Sequence, residues 1–200
     1  MERKALFGGT FDPIHNGHIH VAYEALYNLN LDKVIFMPSG NPPHKNCNDI
    51  TDADIRYKMV EEAIKGEKCF EVSDYEVKNK NCSYTYKTLE KLNLGKKNVL
   101  WYFIVGVDCL MDLDNWKNPS RVLQLCNFVV FNRPGYTKEE IYKQKNNIEK
   151  KYNTKVFFLD IPLLEISSTD IRKKIKQNEN ISYLVPYNVY KFINKHNLYY

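Results

Sequence analysis

Six short apolar runs alternate with segments of helical spacing along this 200-residue chain, and that alternation limits the fold more than any other feature. The runs are Lys4–Phe7, Lys33–Met37, Phe70–Ser73, Val99–Val105, Phe128–Phe131 and Val156–Leu159, rich in β-branched and aromatic residues, and they read as strands. Between them, His18–Asn28, Ala53–Lys65, Tyr84–Leu92, Leu110–Leu125 and Lys138–Lys151 repeat apolar residues at helical steps, with a break expected at Pro119. A run such as Val99–Val105, apolar almost throughout, suits a strand covered on both faces. The pattern therefore predicts an α/β fold with a doubly wound, mainly parallel sheet. After Leu159 come two helical segments, Ser167–Lys176 and Pro186–Asn194, with no further strand. The expectation is a single domain over 1–200, made of an α/β core to about residue 165 and a helical C-terminal appendage over 166–200.

Composition narrows the function classes. With 44% hydrophobic and 26% charged residues the chain is of ordinary globular type, and no apolar run approaches the roughly 20 residues of a membrane helix. Only a few apolar residues separate Met1 from Gly8-Gly9, so no secretory leader is read and a cytoplasmic, membrane-free protein is expected. Cys47, Cys69, Cys82, Cys109 and Cys126 show no CxxC spacing and are odd in number, which points to reduced thiols rather than zinc ligands or a disulfide framework. The net charge of +5 is spread along the chain, which fits attraction of a small phosphate-bearing substrate better than a nucleic-acid face. No nucleic-acid partner is expected, and homo-oligomerisation is left open.

The most informative segment is the first βα junction, Gly8-Gly9-Thr10-Phe11-Asp12-Pro13-Ile14-His15-Asn16-Gly17-His18. Paired glycines at a strand's carboxyl end let the backbone approach a phosphate, and the N-terminus of a helix opening near Gly17 or His18 presents unpaired N–H groups. The segment is neither GxGxxG nor GxxxxGK[ST], so dinucleotide hydride chemistry and Walker-type hydrolysis are not indicated. The three-residue spacing of His15 and His18 puts both side chains on one helix face, roughly 5–6 Å apart, beside those amides. Taken alone, such a pair reads as polar residues at a helix start; the glycines and the preceding strand favour an anion site.

A second helix start, Ile166-Ser167-Ser168-Thr169-Asp170-Ile171-Arg172, reads first as a capping box of Ser167 with Asp170. Its hydroxyls, amides and Arg172 also suit a second phosphate site. In a parallel sheet, sites after the first and last strands can face each other across the carboxyl edge, a geometry that grips a triphosphate. Phosphoryl chemistry there needs no protein nucleophile, because a phosphate with a second pKa of about 6 is itself an anionic attacker. Catalysis would rest on alignment and charge stabilisation, with the histidines as donors.

His15-Asn16-Gly17-His18 resembles the HxGH signature of the nucleotidyltransferase superfamily, and the Gly8–His18 run resembles its bacterial nicotinate mononucleotide adenylyltransferase branch. Four further segments fit that branch in order: Met37–Lys45 is similar to its MPxxxPPHK, Ser83–Leu89 to SYTxDT, Gly106-Val107-Asp108 to GxD, and Ile166–Arg172 to ISSTxIR. The resemblance implies adenylyl transfer from ATP to nicotinate mononucleotide, releasing pyrophosphate, in NAD synthesis. It implies catalytic roles for His15, His18 and Arg172. ATP contacts would come from Gly8, Gly9, Thr10, Phe11, His15, His18, Gly106, Asp108, Ile166, Ser167, Ser168, Thr169 and Arg172. The mononucleotide would meet Asp12, His44, Lys45, Tyr84, Thr85, Trp116 and Arg133, with Trp116 stacking on its ring. Mg2+ would come with ATP, held mostly by phosphate oxygens and water, so no protein residue is named as a metal ligand.

Lys87 departs from the branch, which usually has an acidic residue there. Read without the resemblance, Trp116 is a core residue, Asp108 a helix cap and Arg133-Pro134-Gly135 an ordinary turn. Arg56 is left without a role, and the terminal Tyr199-Tyr200 reads as exposed aromatics that identify no partner. The alternatives are nicotinamide mononucleotide or phosphopantetheine as acceptor, a cytidylyltransferase, and a non-catalytic nucleotide- or RNA-binding module.

Overall fold

A computed structural model describes residues 1–40, 50–79, 84–94, 98–132, 135–162 and 164–200. Strands β1 (Glu2–Gly9), β2 (Lys33–Pro38), β3 (Phe70–Val72), β4 (Val99–Gly106), β5 (Asn127–Phe131) and β6 (Val156–Leu159) fall on the six predicted runs. They form one sheet in the order β3-β2-β1-β4-β5-β6 with every pairing parallel. Strand order reverses between β1 and β4, so the crevice beyond their carboxyl ends is where a doubly wound sheet places its ligands.

Side-chain alternation along the strands explains why both faces are covered. Ala5, Phe7, Ile104 and Val129 face one core together with α1 (Asn16–Asn28), α2 (Ala53–Ala63), α8 (Ser168–Lys176) and α9 (Tyr187–Lys195). Leu6, Phe103, Val105, Phe128 and Val130 face a second core together with α4 (Thr85–Asn93), α5 (Val107–Met111), α6 (Pro119–Leu125) and α7 (Lys138–Tyr152). The C-terminal helices are integral to the first layer: Ile171, Ile175, Val189 and Ile193 are buried beside Phe7 and Met59.

Three local departures from the sequence reading have simple causes. The segment expected as one broken helix over Leu110–Leu125 is α5, a 3-10 turn at Leu113–Asn115 and then α6, whose first residue is Pro119. Proline lacks the N–H that a helix interior needs but fits the first helical position, and Asn118 before it takes a left-handed φ of 57°. A one-turn helix, α3 (Tyr75–Lys78), is too short to show a periodicity. Helix α1 begins at Asn16, ahead of the expected start, because His15 is its cap.

Of the cysteines, Cys69 and Cys126 are free thiols, and burial pushes the Cys126 thiol up to about 12, which keeps it protonated. Cys47 and Cys82 lie outside the described residues. Among the described residues, no helix is long and apolar enough to cross a membrane.

Candidate functional site

At the carboxyl end of β1 the chain turns through Thr10 and Phe11 and reaches a cis Asp12–Pro13 peptide before α1. Phe11 is buried with a left-handed φ of 52°, a conformation rare for a bulky residue, and its ring folds back over Gly9. A Cβ on Gly9 would lie 2.8 Å from that ring, so only glycine fits.

His15 sits in extended backbone (φ −144°) as the cap of α1 rather than inside the helix. This geometry brings the two imidazoles closer than helical spacing alone suggests: the His15 and His18 rings stack with centroids 3.6 Å apart. A Cβ on Gly17 would stand 3.0 Å from the His15 ring, which explains the glycine of the motif. The His15 N–H donates to Nδ1 of His18 at 3.2 Å, so a neutral His18 carries its proton on Nε2 and is a donor there. Both rings are buried, and Phe7 and Phe11 meet the His18 ring edge-on. The first turn of α1 holds no acidic residue, so its positive dipole end is uncompensated from within the helix.

The start of α8 is docked against this loop. Arg172 Nη1 donates to the Asp12 carbonyl at 2.6 Å and Ser168 Oγ to the Pro13 carbonyl at 2.9 Å. Ser167 caps the helix as its sequence suggests: its Oγ accepts the Asp170 N–H at 3.0 Å and donates to the Asp170 carboxylate at 2.6 Å. Arg172 also approaches Thr169 Oγ1 at 3.5 Å, and Ile166 packs against the first core.

On the other side of the glycine turn lies a cavity of about 620 Å³. Gly8, Gly9, Thr10, Tyr84, Thr85, Asp108 and Trp116, all singled out from sequence, line it together. Tyr84 and Gly106 are the cap residues of α4 and α5, and Asp108 stands in the first turn of α5. Trp116 answers to both of its readings: it lines the cavity while packing edge-on against Phe103 and Phe128, at 6.2 and 6.3 Å. The departing residue Lys87 places its amine 5.7 Å from the Tyr84 ring centre. His44, Lys45 and Arg133 lie outside the described residues.

Sequence reasoning missed several contributors. Glu76, Asp112, Asn115 and Lys117 also line the cavity, and Glu76 accepts a 2.8 Å hydrogen bond from Thr88 on α4. Arg56, left without a role, is 1% exposed and donates to the carbonyls of Thr51, Thr10, Ser39 and Gly40 at 2.8, 2.7, 2.7 and 3.2 Å. It ties the ends of β1 and β2 together, and burial pulls its pKa down. The available signal was an arginine in step with Met59 and Val60 on the buried face of α2. Asp12, expected to face the mononucleotide, has a buried carboxylate that accepts the Thr51 N–H at 3.2 Å and the Tyr199 hydroxyl at 2.6 Å. Tyr199 is accordingly half-buried rather than an exposed aromatic. Among the described residues no group of three or more His, Cys, Asp or Glu side chains is placed to hold a metal ion.

The profile of the cytidylyltransferase-like family matches residues 6–174. The chain is 64% identical over 199 residues to a probable nicotinate-nucleotide adenylyltransferase of Clostridium novyi, all of both chains being covered. It is 54% identical over 199 residues to the protein of the same name from Clostridium tetani, again over the full length of both. Its fold is similar to that of a Plasmodium falciparum nicotinic acid mononucleotide adenylyltransferase complexed with NaAD, with a TM-score of 0.80 at 22% identity, covering 100% of this chain and 98% of that one.

Proposed function

The chain belongs to the cytidylyltransferase-like family, and from that premise we propose that it transfers the adenylyl group of ATP to nicotinate mononucleotide, giving deamido-NAD and pyrophosphate in NAD biosynthesis. The observation that carries this reading is the stacked His15–His18 pair at an acid-free helix start, at the switch point of the sheet and beside a cavity of ligand size. A phosphate oxygen of the mononucleotide attacks the α-phosphorus of ATP in line as the bond to pyrophosphate breaks; the attacking oxygen is already anionic, so no base is required. Nε2–H of His18, the amides of the Gly8–Phe11 turn and of the α1 start, and Arg172 supply the positive field in which charge grows on the transferring group. His15 holds the pair in place as the cap.

In this reading Gly106, Asp108 and the Ile166–Thr169 turn complete the ATP side. Tyr84, Thr85 and Trp116 take the pyridine side of the cavity, and His44, Lys45 and Arg133 keep the mononucleotide-binding roles their motifs imply. Asp12 acts through the loop rather than by touching substrate. Transfer from ATP uses a divalent cation, and we take it to be Mg2+, carried in with ATP by its phosphate oxygens and water. The partners are small molecules, ATP and the mononucleotide.

The test is pyrophosphate release by purified protein with ATP and Mg2+, comparing nicotinate mononucleotide, nicotinamide mononucleotide and phosphopantetheine, with the product identified by mass. A strong preference for the nicotinate form is expected. Turnover with another acceptor alone would move the activity within the family, and no turnover with any of them would overturn the enzymatic reading.

A further inference from the structure

The C-terminal end of the described chain reaches back into the first loop. Helix α9 ends at Lys195, the chain reverses at Asn197 (φ 48°), and Leu198 N–H bonds the carbonyl of Ile193 at 3.1 Å. Tyr199 then takes a φ of 71°, a left-handed conformation unusual for a tyrosine, and packs against the first core. Its hydroxyl donates to Asp12 Oδ1 at 2.6 Å and lies 3.8 Å from the sulfur of Met59. The other Asp12 oxygen is taken by the Thr51 N–H and the Asp12 carbonyl by Arg172. Asp12 is thus held by three segments remote in sequence. Strained backbone at Phe11 and at Tyr199 sits at the two ends of one short path of contacts, where strain is maintained by the surrounding structure.

The geometry points to Tyr199 as a positioning residue for adenylyl transfer: its hydroxyl, through the Asp12 carboxylate, fixes the Thr10–His15 turn on which the reacting phosphates are aligned. This rests on the function proposed above. The phenol is suited to the task because burial, then the charge of Asp12, raises its pKa far above the ordinary 10.0, so it stays a donor. Loss of the hydroxyl leaves the turn able to bind anions through its amides but less closely fixed. Misalignment of reacting groups costs rate rather than affinity.

Tyr199→Phe removes only this donor. Tyr200→Phe is the control, removing a neighbouring hydroxyl that bonds Asn194 Oδ1 at 2.9 Å, away from the loop. The expected result for Tyr199→Phe is a kcat lowered roughly tenfold, with both KM values within about threefold of the parent. Amide hydrogen exchange over residues 10–15 should quicken in Tyr199→Phe and not in Tyr200→Phe. A lowered melting temperature with kcat and loop exchange unchanged would reduce Tyr199 to a packing residue and overturn the proposal, as would equal effects of the two variants. If the parent protein forms no dinucleotide, the functional reading fails, and the exchange measurement still decides whether Tyr199 fixes the loop.

Discussion

Helices α1 and α8 both begin at the edge of the sheet's crevice, and they begin differently. The cap of α8, Ser167, is exposed and satisfied from within its own first turn by Asp170, whose carboxylate also supplies the helix end with negative charge. The cap of α1 is a buried histidine stacked on a second histidine, with no carboxylate in the first turn. One helix start is capped and balanced in charge by its own residues. The other carries no carboxylate of its own, which in the proposed function leaves its positive end to a substrate phosphate. Arg172 joins the two, since it leaves α8 to grip the backbone of the loop ahead of α1.

This contrast can be broken most decisively at His18. His18→Ala should lower kcat by about a hundredfold or more, as for loss of a transition-state donor, while thermal unfolding stays cooperative. Near-normal turnover would place catalysis elsewhere. Arg172→Ala comes next: kcat/KM for ATP should fall at least about tenfold, and Arg172→Lys should not restore it, because an ammonium cannot reproduce the guanidinium fork. Steady-state kinetics with each substrate varied would expose the opposite case, a loss confined to the mononucleotide. Ser167→Ala should cost about 1 kcal/mol in urea unfolding, the value of a lost cap, and raise the ATP KM by less than Arg172→Ala does. A large kinetic effect with little loss of stability would erase the distinction between the two helix starts.

The smallest effect concerns pH. Tyr199 is neutral when folded and has a raised pKa, whereas the unfolded residue ionises near 10.0. Its contribution to stability is complete below that value and declines as pH rises above it, because the unfolded chain then sheds a proton that the folded one keeps. Unfolding titrations from pH 9 to 11 should show this decline, with a shallower slope in Tyr199→Phe.

The strands were legible in sequence because each is a compact apolar run, and the parallel order followed from their regular alternation with helices. The glycines and histidines of the first junction were legible for a related reason: neighbours in sequence stay neighbours in a tight turn. What escaped were contacts between distant segments. Nothing near Arg56 in sequence announces that four carbonyls from the β1–α1 and β2–α2 connections converge on it, and nothing near Glu76 announces Thr88. The stacking of His15 on His18 also escaped, because helical spacing assumes both residues lie inside the helix, whereas one of them caps it.

The bond between Tyr199 and Asp12 spans 187 positions. The loop that carries the histidines follows the first strand of the sheet, yet one of its supports is delivered by a residue that lies beyond the last strand and the last two helices described. A nascent chain halted just before Tyr199 would have every described strand of the sheet and both histidines, with the Asp12 carboxylate still waiting for its hydroxyl. For the same reason a substitution at Tyr199 removes a contact of the loop that carries the histidines, although the two are far apart in sequence.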